Sequence, residues 1–237
     1  MSDETPRVVV ITGASQGIGA SLVPAYRRLG YAVLGTSRTI PPSDDPMIAT
    51  VQGDIATADT AERVTRHAID RFGRIDTLIN NAGVFVAKRF THYTDEDYDL
   101  LTGVNLGGFF QITRRVIEHM ERVGSGHVVN ITTTLVEHAD VKVPSALASL
   151  TKGGLAAVTK SLAIEYAAKG IRVNAVSPGV IKTPMHAPET YDGLGTLHPM
   201  GRMGETSDVV SAVMYLESAP FVTGEFMHVD GGQSAGH

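Results

Sequence analysis

The chain has 237 residues, 43% of them hydrophobic, with 25 glycines and a formal net charge of −5. That is enough to bury a large core as one α/β domain, 1–237, and it offers no basic face to nucleic acid. Cysteine is absent, which excludes disulfides, thiolate catalysis and cysteine metal sites; the nine histidines form no close-spaced cluster, so no metal is expected and most of them read as solvated surface residues. No apolar stretch reaches the roughly 18–20 residues of a membrane span, and with no signal-peptide pattern the expected location is cytoplasmic.

The first predicted element is a β-branched apolar run from Arg7 to Thr12, suited to a strand buried on both faces. It passes directly into Gly13, Ala14, Ser15, Gln16, Gly17, Ile18 and Gly19. Glycines there permit a tight turn and let backbone N–H groups approach a pyrophosphate at the start of the next helix, although an ordinary strand-to-helix turn has the same look. The second strand, from Ala32, ends in Ser37 and Arg38. An acidic residue at that point would accept hydrogen bonds from the adenosine ribose of NAD and repel a 2′-phosphate; Ser37 can hydrogen-bond such a phosphate and Arg38 can pair with it, unless Arg38 is simply a solvated loop residue.

A third strand near Val51 ends at Asp54 and Ile55, and the buried run Thr77 to Ile79 leads into Asn80, Asn81, Ala82 and Gly83. Both are strand ends on the carboxyl edge of a parallel sheet, where doubly wound folds bind ligands. His127 to Thr133 reads as a further strand, and Lys152 through Lys169 as a helix with Leu155, Val158, Leu162 and Tyr166 at helical spacing. Tyr166 is read as a packing residue. Arg172 to Val176 is strand-like and is followed by Ser177, Pro178 and Gly179, then by Thr183 and Pro184; the chain closes on Val222-Thr223-Gly224 and Val229-Asp230-Gly231-Gly232.

These motifs, in this order and spacing, resemble the short-chain dehydrogenase/reductase family from Val8 to Gly232. The resemblance implies a single-domain Rossmann-like fold, a doubly wound parallel sheet flanked by helices on both faces. It implies a nicotinamide cofactor, with NADP(H) preferred over NAD(H), held by Gly13, Ser15, Gln16, Gly17, Ile18, Gly19, Ser37, Arg38, Asp54, Ile55, Asn81, Ala82, Gly83, Lys152, Pro178, Gly179 and Thr183. Asp54 would hold the adenine, Asn81 would line the ribose, Thr183 would bond the nicotinamide side and Lys152 the nicotinamide ribose. Asn105 resembles the helix asparagine that holds a water beside that lysine, although a structural asparagine is an equal reading. A substrate lid is implied over roughly 184–204, and a homotetramer or homodimer through the helices beginning near Asn105 and Lys152.

Two positions depart from the family. Thr133 stands where a substrate-polarising serine is usual, a mild change because its hydroxyl still donates. Ala148 stands four residues before Lys152, where the family has the tyrosine that protonates the carbonyl oxygen as hydride arrives. Losing a positioned general acid costs about 10²–10⁴ in rate, or roughly 3–5.5 kcal/mol of barrier. The catalytic set is therefore Asn105, Thr133 and Lys152, with the proton coming from elsewhere: water in the space a tyrosine ring would fill, or a loop residue such as Glu137, His138, His186 or Tyr191. The expected activity is NADPH-dependent hydride transfer to a small or medium substrate, a carbonyl, an activated alkene or quinone, or an imine. Because residues 185–200 contain no arginine, the substrate reads as mainly neutral. The alternative is an NADP(H)-binding pseudoenzyme acting as a sensor or partner subunit.

Overall fold

The β-branched runs become the strands of one parallel sheet. The structure, a computed structural model, describes residues 5–236. In chain order the elements are β1 (Val8–Thr12), α1 (Gly17–Arg28), β2 (Ala32–Ser37), β3 (Ile48–Gln52), α2 (Ala58–Phe72), β4 (Thr77–Asn80), α3 (Asp95–Leu101), α4 (Phe109–Val123), β5 (Gly126–Ile131), α5 (Ala146–Tyr166), β6 (Ile171–Pro178), α6 (Tyr191–Gly195), α7 (Thr206–Ser218) and β7 (Phe226–Val229). The sheet order is β3-β2-β1-β4-β5-β6-β7, every pairing is parallel, and the order reverses between β1 and β4. The fold is the doubly wound sheet expected from the sequence.

The central strands are mostly apolar because helices cover both of their faces. Val9, Ile11, Val33, Ile79 and Val129 turn toward Leu22 and Tyr26 of α1 and Val209 and Val213 of α7. Their neighbours Val10, Leu34, Leu78, Val128 and Val173 turn the other way, onto Val64 of α2, Val116 of α4 and Ala163 of α5. Each such side chain contributes about 1.5–3 kcal/mol by leaving water. Tyr166 packs against this second layer, as its spacing suggests.

The boundaries of α5 and β5 differ from the sequence reading in ways that bear on the site. α5 starts at Ala146, six residues before Lys152, because Pro144 and Ser145 already form a helix start and Ala146 to Thr151 propagate it. β5 ends at Ile131; the N–H of Thr132 still bonds the Val176 carbonyl at 2.9 Å, but Thr133 leaves the ladder to cap a short turn over Thr134–Val136. Between α3 and α4 the residues Thr102–Gly108 wind as a π-helix, and Asn105 sits buried at its centre. Among the described residues no helix is long and apolar enough to cross a membrane, and no group of histidines and carboxylates could hold a metal ion.

Candidate active site

The reversal of strand order opens a cleft of about 710 Å³ along the carboxyl ends of the strands. At its nucleotide end, Gly13 and Gly17 take positive φ, 67° and 57°, which turns the chain sharply between β1 and α1. α1 then begins with no side-chain cap and no acidic residue in its first turn, so its leading N–H groups and positive dipole end are left for an anion. Gly13, Ser15, Gln16, Gly17 and Ile18 line the cleft. Gly19 does not; it lies beneath the turn, where a Cβ would meet the Asn81 amide at 2.6 Å. Asn81 locks that turn from below, its Nδ2 donating to the Thr12 and Gly13 carbonyls at 2.9 and 3.2 Å.

Ser37 and Arg38 line the cleft where β2 ends. The Ser37 hydroxyl accepts from the Thr39 N–H at 3.2 Å and keeps its own proton to donate, while Arg38 is exposed and has no carboxylate partner among the described residues. Asp54 and Ile55 follow β3 on the same wall, with one Asp54 oxygen accepting from the Ala56 N–H at 3.0 Å. Ala82, Gly83, Pro178, Gly179 and Thr183 complete that half.

Thr133 and Lys152 line the same cleft. Lys152 Nζ donates to the Ile131 carbonyl at 3.0 Å, and burial lowers its ammonium from 10.5 to about 8. It stands close over Gly83, where an added Cβ would lie 3.0 Å from Nζ. The Thr133 oxygen accepts weakly from the Leu135 N–H at 3.4 Å, which leaves its O–H to point at a ligand. Asn105 stays outside the cleft. Its oxygen accepts from the Val84 N–H at 2.9 Å, and its Nδ2 donates to the Val84 carbonyl at 3.1 Å and the Thr151 hydroxyl at 3.0 Å. The side chain thus braces the strand-end loop and the residue next to Lys152, with no donor left for a water.

Ala148 also lies outside the cleft. It is fully buried with Leu101 and Leu147 against Val84, Phe85, Val86 and Tyr93. At Ala148 itself the packed neighbours are hydrophobic, whereas a water needs two or more polar partners.

A family model described as Enoyl-(Acyl carrier protein) reductase matches residues 13–234. The chain is a short-chain dehydrogenase/reductase. It is 35% identical over 240 residues to an uncharacterized oxidoreductase of Schizosaccharomyces pombe, covering 98% of this chain and 92% of that one. It is 33% identical over 247 residues to 3beta-hydroxysteroid dehydrogenase 1 of Eggerthella lenta, covering 96% and 94%. Among solved structures, ElxO with NADP bound superposes with a TM-score of 0.90 at 29% identity, covering 98% of this chain and 100% of that one. The 3-ketoacyl-(acyl-carrier-protein) reductase from Brucella melitensis complexed with NADH superposes with a TM-score of 0.86 at 29% identity, covering 96% and 98%.

Of the loop residues that a short-chain reductase lacking the tyrosine would call on, only His186 lines the cleft. Glu137 instead meets His228 at 2.8 Å on the surface, and neither His138 nor Tyr191 reaches the lining. Burial holds the His186 imidazole below its ordinary range. The segment 184–204 is stapled at its base: the Gly204 N–H bonds the Val180 carbonyl at 3.0 Å, the Lys182 N–H bonds the Gly204 carbonyl at 2.9 Å, and Lys182 pairs with Glu205 at 2.6 Å. Lining residues that escaped the sequence reading include Gln233 and Lys142. Gln233 accepts from the Thr134 hydroxyl at 3.0 Å and so ties the C-terminal segment to the end of β5. Lys142 enters from the connection between β5 and α5. The neighbouring motifs bracket that connection, but nothing in its own composition marks it as part of a site.

Proposed function

We propose that the protein is an NADPH-dependent oxidoreductase acting on a small or medium carbonyl or activated-alkene substrate, with a proton source other than a tyrosine. The observation that carries this reading is that Thr133 and Lys152 line one continuous cleft with the uncapped start of α1. When bound, the cofactor supplies the hydride. The Gly13–Ile18 turn and the N-terminus of α1 suit its pyrophosphate, Ser37 and Arg38 its 2′-phosphate, and Lys152 its nicotinamide ribose. ElxO with NADP bound lends support, and the Brucella reductase complexed with NADH keeps the preference a matter for measurement. Thr133 orients the substrate oxygen by donating its hydroxyl. The two electrons of the hydride go to carbon, and the balancing proton reaches the oxygen, or the second alkene carbon, from His186, Lys152 or solvent. Lysine charge in the cleft weighs against a protonated iminium substrate. Exposed Phe110 on α4 and Leu150 and Ile164 on α5 support assembly through those helices as a homotetramer.

The sealed packing of Ala148 favours a second reading, an NADP(H) binder without turnover. Loss of NADPH absorbance with matched ketone, quinone, enone and cyclic imine panels separates the two. Turnover of enones or quinones ahead of simple ketones is expected, with Arg38→Ala raising the KM for NADPH at least about tenfold and leaving NADH nearly unchanged. NADPH binding with no turnover of any panel member would establish the second reading.

A further inference from the structure

We propose that the substrate half of the cleft is a subsite for an anionic substrate, in which the Lys142 ammonium anchors a carboxylate while an apolar wall takes the body of the molecule. The proposal rests on the oxidoreductase reading and adds the class of substrate to it. Residues 185–200 hold no arginine, which by itself suggests a neutral ligand. The cation comes instead from a different segment, the connection that also presents Thr133 and Thr134 to the cleft.

The charge census of the lining is one-sided. Its only carboxylate is Asp54, on the nucleotide wall after β3 and turned to cap Ala56. The acids nearest in the chain to Lys142 make other bonds than an ion pair with its ammonium. Asp140 accepts from Lys142's own backbone N–H at 2.7 Å, and Glu137 is held by His228 at 2.8 Å. Asp230 accepts from the N–H groups of Gly232 and Ser234 at 3.0 and 2.8 Å. Among the described residues no carboxylate pairs with Lys142. An entering ligand therefore meets two ammonium groups, Lys142 and Lys152, and no opposing charge on that half. Low-dielectric walls concentrate such a field; Phe85, Leu135, Val143, Met185, Leu194 and Leu197 supply them. A single flexible ammonium acts toward a carboxylate as a point charge, without the fork geometry that an arginine would impose.

The test uses malonate and its uncharged counterpart malonamide, titrated calorimetrically into the whole protein, both loaded with NADP+ and nucleotide-free. Malonate should bind roughly tenfold more tightly than malonamide. Lys142→Met should abolish that preference, Lys142→Arg should restore part of it, and NADP+ affinity should not change. Equal binding of the two probes by the unmodified protein, or a malonate preference that survives Lys142→Met, overturns the proposal. Failure of NADP+ to bind would instead count against the oxidoreductase reading, and the nucleotide-free titration would still decide the role of Lys142. With acetoacetate and methyl acetoacetate as substrates, Lys142→Met should raise KM for the acid alone. A fall in kcat for both would make Lys142 a proton donor and overturn the anchoring role.

Discussion

Glu217 lies at the amino-terminal end of the sheet, away from the cleft, and satisfies four partners at once. Its carboxylate accepts from Tyr26 at 3.0 Å, Tyr31 at 2.7 Å, Thr77 at 3.1 Å and the His127 Nδ1 at 3.0 Å. The tautomer of His127 follows from its other side. Asn174 takes the Glu225 N–H on its oxygen, so its amide donates to His127 Nε2 at 3.2 Å, and the ring proton must sit on Nδ1. Burial raises the Glu217 carboxyl, but the hydrogen bonds from His127, Tyr31 and Tyr26 outweigh it and hold it below its ordinary range. Glu217→Leu strands these donors and should cost about 3–5 kcal/mol, seen as a melting temperature lower by roughly 10 °C. Ala148→Tyr belongs to the same scale. With Ala148 fully buried, a ring there must displace Leu101 or Phe85 and should destabilise by about 1–3 kcal/mol, measured by urea unfolding, whether or not it gains ketone activity. The positions carried by backbone necessity, such as Gly13 and Gly17, were legible because few residues besides glycine serve a phosphate turn at positive φ. Lys142 was not, because a lysine in a polar connection reads the same whether it faces solvent or a ligand.

At the scale of elements, the π-helical stretch Thr102–Gly108 is the least ordinary piece of the fold. Widening the helix by one residue per turn swings Asn105 inward, where it clamps both backbone groups of Val84 and the Thr151 hydroxyl. That clamp sets the loop carrying Gly83 against the helix carrying Lys152, so the π turn positions Lys152 at the cleft from outside it. Asn105→Ala leaves the Val84 N–H and carbonyl without partners and should cost about 3 kcal/mol. It should also weaken NADP+ binding several-fold, because Gly83 is no longer held. Thermal unfolding and fluorescence titration check the two effects separately; lowered stability with unchanged NADP+ affinity would confine Asn105 to packing. The strands were readable from sequence because both faces are buried and the apolar runs are continuous. The π turn was not, since one extra residue per turn leaves the apolar pattern of α4 intact, nor was the early start of α5, since Ser145 makes no side-chain cap and Pro144 and Ser145 read equally as a loop.

For the whole molecule, acid is the telling variable. Three of the described histidines are buried while the rest are at least partly exposed, and each buried ring accepts a hydrogen bond through Nε2. His119 takes the Ile75 N–H at 3.3 Å, His198 the Val180 N–H at 3.0 Å and His127 the Asn174 amide. Burial lowers all three from 6.5, so the unfolded chain binds protons that the folded one refuses. Their stabilisation is complete above 6.5 and is lost as pH falls through the depressed folded values. Glu217, also lowered, adds a second loss below its ordinary 4.5. Urea midpoints should therefore fall on acidification from 6.5 downward, and His127→Gln should make the upper part of that fall shallower. A midpoint flat down to 4.5 would contradict this.

The strand order β3-β2-β1-β4-β5-β6-β7 has a consequence for how the chain can assemble during synthesis. β2 docks beside β1, and β3 beside β2. β4 crosses over to the free side of β1, and each later strand adds to the edge left by the one before it. Only the β1–β4 pairing has to skip over intervening strands; Val9 finds Thr77 there. Once that single closure is made, the order of translation is the order of growth, and the sheet can extend outward one edge at a time as the ribosome delivers it.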